Sequence, residues 1–400
     1  MKARKVICAM LAVLLLAFAT GCWNRRELND LAITIGLGID KLDANQYRIS
    51  AQVVEPGEAA EKKGSGRSPV ILYSETGSTV MEALRKATMN SPRKLYMAHL
   101  RILIIGEALA REGIADVLDF MVRDHGVRTD FYIAIAKGRK AEEMLKVMTP
   151  LEKLPAVKIN KTMESSEKVW APSLAVTMDM LISDIISDGK QPVLATIELK
   201  GDPQAGNQRS SLEQIDVPAS IVTSSLAAFK GSKLVGWLNQ DESKGHNYIL
   251  NKITNTVGFI SCPKGGKIAL EVIRANSKLK ARMEDGEPIV DIELRIKQNV
   301  GEVLCNIDLT KMETLDDLNE RSSQKLKSFI EAAVDKAQKQ FESDIFGFGE
   351  AVHRADPKAW KQLKQNWDQH FTTMQVNVKV DVQTILLGTV TDSLLKKVKE

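Results

Sequence analysis

Hydrophobic and polar positions along this chain follow two rhythms, one of period two and one of three to four, and its elements lie where each rhythm holds. Leu31 to Asp40 and Gln46 to Val54 are β-compatible runs separated by the polar turn Asp43-Ala44-Asn45, so a hairpin opens the folded part. Residues 56–68, rich in Gly, Lys and Glu, keep neither rhythm and read as an exposed loop. Val70 to Tyr73 is the next strand. Thr79 and Glu82 have capping-box spacing, and Val80, Ala83, Leu84 and Ala87 form a helical stripe that Pro92 ends. Leu100 to Ile105 is an unbroken apolar run suited to a strand covered on both faces. Two short helices fill Glu107 to Arg123, and Asp130 to Ala136 is a further strand. Such alternation of strands and helices predicts α/β layering.

The rhythm thins between Pro150 and Trp170. Leu174, Met178, Leu181, Ile182, Ile185 and Ile186 then mark a helix stopped at Gly189, and Pro192 to Leu199 reads as a strand. Residues 201–216 are polar and aperiodic, and we read them as a linker between an N-terminal domain, residues 22–200, and a C-terminal domain, residues 217–400. Asp285-Gly286 between two alternating stretches predicts a long hairpin over residues 267–304. A two-residue turn there places Lys280 opposite Asp291 and Lys278 opposite Glu293 on one face, with Leu279 opposite Ile292 and Ala281 opposite Val290 on the other. A slip of one residue would break every match together. Leu315, Leu318, Leu326, Phe329, Ile330, Val334 and Phe341 predict a helix over 314–341. Val376, Val378, Val380 and Val382, alternating with polar residues, predict a last strand with one wet face. The fold class is α/β (α+β mixed) in two or three domains, each a mostly antiparallel or mixed sheet packed with helices. Antiparallel strands are expected in the C-terminal half.

The start of the chain is of another kind. Lys2, Arg4 and Lys5 precede fourteen apolar residues, Val6 to Ala19, and small residues lead into Cys22. This is a secretory leader over residues 1–21, because a spanning helix needs about 20 apolar residues. Ala19-Thr20-Gly21-Cys22 resembles the bacterial lipobox, in which the cysteine receives a diacylglyceryl group and, after cleavage, an acyl group on its nitrogen. Ala19 departs from the usual Leu. Trp23, Arg25 and Arg26 follow at once, and two readings stay open: contact with headgroups or a partner, or folding into the first domain.

Charge narrows the partners. The chain has 55 Lys plus Arg against 51 Asp plus Glu, and three of those cations lie in the leader, so the remainder is nearly neutral. Nucleic-acid binding is not expected of such a balance. Beyond Cys8 and Cys22 only Cys262 and Cys305 remain. They could form one bridge or lie apart as small buried hydrophobes, and the second reading is preferred.

No catalytic constellation appears. Gly36-Leu37-Gly38 lacks a third glycine at Lys41, Gly347-Phe348-Gly349 lacks one at Val352, and His99, His125, His246, His353 and His370 show no metal-ligand spacing. Trp237 and Trp360 read as core or seam residues, and Gly347 and Gly349 as a tight turn near a helix end. The expectation is a protein that is not an enzyme, with no metal and no cofactor besides a covalent lipid on Cys22.

GCWNRRELNDLAITIGLGID, Gly21 to Asp40, resembles the opening signature of the Ger(x)C family, the C subunits of bacterial spore germinant receptors. The resemblance continues through MAHLRILIIGEALAREGI (Met97 to Ile114), AAFKGSKLVGWLNQDESKG (Ala227 to Gly245) and DIFGFGEAVHR (Asp344 to Arg354), then Trp360, Trp367 and Phe371. It implies a lipoprotein on the outer face of the spore's inner membrane, acting with an A subunit and a permease-like B subunit in nutrient sensing. It also implies three mixed α/β domains, so a further division is expected between residues 150 and 200. Nutrient binding by this subunit itself is not expected. The alternative reading is an extracytoplasmic solute-binding lipoprotein that presents a small ligand to a permease, which requires a deep cleft between domains.

Overall fold

The computed structural model describes residues 3–7, 10, 30–43, 45–60, 67–262 and 265–386. Among these, nine strands form one mixed sheet and four form another. β1 (Leu31–Asp43) and β2 (Gln46–Val54) make the expected antiparallel hairpin, with Ile39 opposite Ile49; Ala44 of its turn lies outside the described residues. A short helix, α1 (Pro56–Ala60), occupies part of the expected loop; residues 61–66 of that loop are not described. β3 (Val70–Gly77) leads to α2 (Val80–Lys86). Thr79 caps α2 by accepting from the Glu82 N–H at 3.1 Å, while the Glu82 carboxylate accepts from the Ser78 N–H one residue upstream of the expected partner.

β4 (Lys94–Tyr96) pairs with the start of β1, and β5 (Ile102–Gly106) lies beside β1 in parallel. The apolar run of β5 is explained by alternation: Leu103 and Ile105 enter one core, Ile102 and Ile104 the other. α3 (Glu107–Glu112) and α4 (Ala115–Arg123) cross to β6 (Tyr132–Ala136), which is again parallel. Between β6 and β7 come α5 (Ala141–Lys146), α6 (Pro155–Val169) and α7 (Met178–Ile186). The second of these occupies the stretch where the pattern thins. It buries only Pro155, Ala156, Ile159 and Met163, a stripe too narrow to stand out among lysines and serines.

β7 (Val193–Gly201) pairs antiparallel with β8 (Ala219–Lys230), which turns into β9 (Lys233–Trp237). The expected linker, residues 201–216, therefore connects two neighbours within one sheet and includes the short α8 (Pro203–Gly206). It is aperiodic because it is a surface connection, which needs no buried stripe.

After α9 (Gln240–Ile249) the second sheet runs β10 (Thr256–Ser261), β11 (Lys267–Glu284), β12 (Glu287–Val303) and, last, β13 (Gln375–Leu386). The β11–β12 hairpin has the predicted register, with Lys280 opposite Asp291, Lys278 opposite Glu293, Leu279 opposite Ile292 and Ala281 opposite Val290. Asp285 and Gly286 carry φ of 51° and 86°, the left-handed pair that a two-residue turn requires. The ion pairs run diagonally, Lys280 to Glu293 at 3.2 Å and Arg282 to Asp291 at 3.1 Å. β13 pairs with β12 in parallel, so the expectation of antiparallel strands fails there. The reason is the connection: α10 (Met312–Lys336), α11 (Phe348–Ala355), α12 (Pro357–Leu363) and α13 (Trp367–Thr373) carry the chain back to the start of β12 before β13 begins. α10 starts at Met312 and continues through a wider turn, Ala337–Phe341, close to the predicted span. Its Leu326, Ile330 and Val334 join Leu37 of β1 and Val382 of β13 in one apolar core shared by both sheets.

Cys262 and Cys305 are bridged, against the preferred reading of separate thiols. The hairpin register explains this, because Ile268 lies opposite Val303 and both cysteines stand just beyond that open end. The bridge closes a loop with a sequence separation of 43 beside a small core of Ile260, Ile268, Leu270, Val300, Leu309 and Leu318. Such a loop contributes about 4 kcal/mol in the chain-entropy account. A Cys262→Ser, Cys305→Ser double variant is expected to unfold at lower urea than wild type by about 2–4 kcal/mol, with its midpoint insensitive to reductant; equal midpoints would show the bridge to be idle.

Candidate functional site

Of the residues expected to meet lipid or a partner, Cys22, Trp23, Arg25 and Arg26 lie outside the described residues. The signature segments that are described converge inside the molecule. Asp40, at the end of GLGID, is buried; its Oδ1 accepts from the Ala141 N–H at 2.7 Å and its Oδ2 from the Glu142 N–H at 3.1 Å. These are the first two amides of α5, left free by helix geometry. Burial pushes the Asp40 carboxyl up, and the two amides pull against it. Glu142 in turn holds Arg48 at 3.0 Å and Lys146 at 2.7 Å. A Cβ on Gly36 would come within 2.8 Å of the Ala156 Cβ, and one on Gly38 would sit tightly at 3.2 Å from Ala141 and Leu145, so this pair of glycines seats helices closely on β1.

The second convergence is tighter. Asp344 is fully buried, and five N–H groups point at its carboxylate. Oδ1 accepts from Phe346 (3.2 Å), Gly347 (2.9 Å) and Phe348 (3.1 Å), and Oδ2 from Gly349 (2.8 Å) and the Trp367 indole Nε1 (3.0 Å). The chain turns around one side chain because Gly347 takes a left-handed φ of 76° at the start of α11. Burial pushes the Asp344 carboxyl up to about 6 although every donor pulls it down, so at neutral pH the knot holds a carboxylate.

Around this knot the halves of the chain are fastened. The Gln191 N–H donates to the Asp344 carbonyl at 2.8 Å, and Ser343 Oγ donates to the Phe229 carbonyl at 2.6 Å. A Cβ on Gly349 would come within 2.7 Å of the Gly189 Cα and of the Trp360 ring, so the loop before β7 and α11 touch backbone to backbone. His246 of α9 is fully buried: Nε2 meets the Ile345 carbonyl at 3.2 Å and Nδ1 the Asn247 Oδ1 at 3.0 Å. Asn247 donates to the Ala171 and Ser173 carbonyls, holding the turn where Ala171 has φ of 63°. Burial draws His246 down to about 4, so the ring is neutral. Trp360 is buried edge-on against Trp367, as a seam residue should be, while Trp237 is half-buried beneath Lys137. Sequence reasoning passed over His246 and Asp344 as individuals; the cue was an acidic residue three positions ahead of a Gly-aromatic-Gly turn.

An open cleft of about 770 Å³ lies between α2, α4 and β4, on the flank of the first sheet. Arg123 and Arg128 on its wall are paired with Asp119 at 2.7 Å and Asp130 at 2.9 Å. Among the described residues no group of three or more His, Cys, Asp or Glu could hold a metal ion, and no helix is long and apolar enough to cross a membrane.

The fold and its seams define a class: a two-sheet α/β protein whose signature residues fasten one sheet to the other. The family described as "Spore germination protein N-terminal domain" matches residues 24–199, and "Spore germination B3/ GerAC like, C-terminal" matches residues 224–388. The chain is similar to spore germination protein KC of Bacillus subtilis (strain 168), 31% identical over 388 residues that cover 94% of this chain and 95% of the relative. It is also similar to spore germination protein A3 of the same organism, 23% identical, with 96% of this chain and 98% of the relative covered. The crystal structure of the GerBC protein shares the fold, with a TM-score of 0.57 and 20% identity over 88% of this chain and 97% of that one. The chain belongs to the Ger(x)C family, the C subunits of spore germinant receptors.

Two outcomes follow from the knot. Asp344→Asn puts an amide NH2 among N–H donors and is expected to cost about 3 kcal/mol in urea unfolding; a loss below about 1 kcal/mol would mean that the donors find other acceptors. His246 titrates near 4 when folded and near 6.5 when unfolded, so between those values the unfolded chain binds the extra proton. Its contribution is complete above pH 6.5 and is lost as pH falls toward 4. The stability advantage of wild type over His246→Gln is therefore expected to shrink by roughly 3 kcal/mol between pH 7 and pH 4, and a constant gap would contradict the assignment.

Proposed function

We propose that this chain is the lipid-anchored C subunit of a spore germinant receptor, held at the outer face of the spore's inner membrane beside an A subunit and a permease-like B subunit. What carries this reading is a family relationship that spans nearly the whole chain, joined to a leader that ends just before Cys22. Two or more acyl chains hold a protein to a bilayer stably, each buried methylene adding about 0.8 kcal/mol. Seven residues lie between Cys22 and Asp30, and the eight steps from one to the other reach at most about 28 Å. The start of β1 and its neighbour β4, with exposed Arg93 and Lys94, thereby stay close to the membrane surface. Attachment raises the local concentration of the body beside the spanning subunits, so weak contacts suffice to couple nutrient sensing to the onset of germination.

The solute-presenting alternative would use the cleft beside β4. That cleft lies on the flank of one sheet, and two of its three arginines already have carboxylate partners. Calorimetric titration of the full chain with amino acids and sugars separates the two readings, since saturable heat would favour ligand capture. A Cys22→Ala variant is expected to move from the membrane to the soluble fraction and to slow the response of spores to the cognate nutrient. Full membrane retention of that variant would remove the anchor from the reading.

A further inference from the structure

β10 is the outer strand of the second sheet, paired with β11 on one side only. On its open edge the Val257, Phe259 and Ser261 carbonyls accept from Lys244 Nζ at 3.2 Å, Lys325 Nζ at 2.6 Å and Arg321 Nη1 at 3.5 Å. Cations from α9 and α10 thus cap the groups that would otherwise recruit another strand. The same strand leaves Phe259 48% and Val257 39% exposed. Lys325 and Lys267 Nζ lie 3.9 and 4.5 Å from the centre of the Phe259 ring, and Lys244 Nζ lies 3.8 Å from that of Trp170. The carboxylate acting on both Lys244 and Lys325 is Asp241, and Arg321 has Asp317 at 2.8 Å. Positive charge is in excess on this patch, and burial draws Lys244 down to about 8.

Among these cations is a mostly apolar notch of about 40 Å³, lined by Ile260, Leu270, Leu326 and Phe329 and open because Gly258 has nothing within 4 Å of where a Cβ would stand. The volume suits one short aliphatic side chain, roughly the space of three waters. We propose that the notch and its lysine rim receive an extended acidic segment of a partner protein, with one aliphatic side chain beside Gly258 and flanking carboxylates on Lys325 and Lys267. Alternate residues of an extended chain repeat every ~6.8 Å, the spacing of the capped carbonyls along β10. A bilayer surface presents no single protruding side chain to a hole of this size, and the observations therefore favour a protein segment. The inference stands whether or not Cys22 carries lipid.

The test is fluorescence anisotropy of a labelled Glu-Asp-Val-Asp-Glu peptide with the full-length chain in detergent, at about 0.01 M and about 0.15 M salt. Saturable binding is expected, weaker at the higher salt, and reduced about tenfold or more by Gly258→Leu, by Lys325→Glu and by serine in place of the peptide's valine. Gly258→Leu adds no charge and fills the notch, and its melting temperature reports whether the fold is kept. Should that variant fail to fold, the serine peptide probes the notch on the unaltered protein. Absence of saturable binding, indifference to both the notch variant and the serine peptide, or preferential binding of phosphatidylglycerol vesicles with the same Lys325 dependence would each overturn the proposal.

Discussion

The junction between the two sheets depends on one buried carboxylate. Asp344 gathers four consecutive backbone amides and an indole, and a charge removed from water persists only when it is fully hydrogen-bonded. With all of its donors in place, the chain has one way to run from α10 into α11, and Trp367 has one place to lie. Gly189 and Gln191 of the loop before β7 and Phe229 of β8 then dock on that fixed turn. The seam is made by backbone groups rather than by long side chains, so the two sheets share a core that has little freedom to slide.

β1 belongs to one sheet, and the Asp285-Gly286 tip lies at the end of a long hairpin in the other. Between them the body is packed continuously through β12 and α10, and the Asp344 turn is bonded to the loop before β7 and to β8.

Much of the fold was legible because local chemistry and burial agreed. The Asp285-Gly286 turn, the alternating charges on its flanks and the double-faced run of β5 each point to a single arrangement, and the structure adopts it. Misreadings came where an element is defined by what it packs against. α6 buries four small or medium residues and otherwise resembles a loop, while residues 201–216 resemble a linker although both ends belong to one sheet. The parallel placement of β13 could not be read from its own alternation, which is the same for either direction. The disulfide was within reach, since the predicted register already brought the strand ends beside Cys262 and Cys305 together.

The site was less legible than the fold for a related reason. Its working groups are single polar residues, Asp40, His246 and Asp344, whose roles appear only when distant backbone amides and carbonyls arrive around them. Asp40 meets α5 about a hundred residues later in the chain, and His246 meets Ile345 at a similar remove. The signature segments that link this chain to its relatives are therefore largely internal, and they specify how the body is assembled. The surfaces that assembly leaves free include the lysine-capped edge of β10 and the face around β4. These surfaces carry long side chains on a rigid frame, and such positions can change without disturbing the seam beneath them.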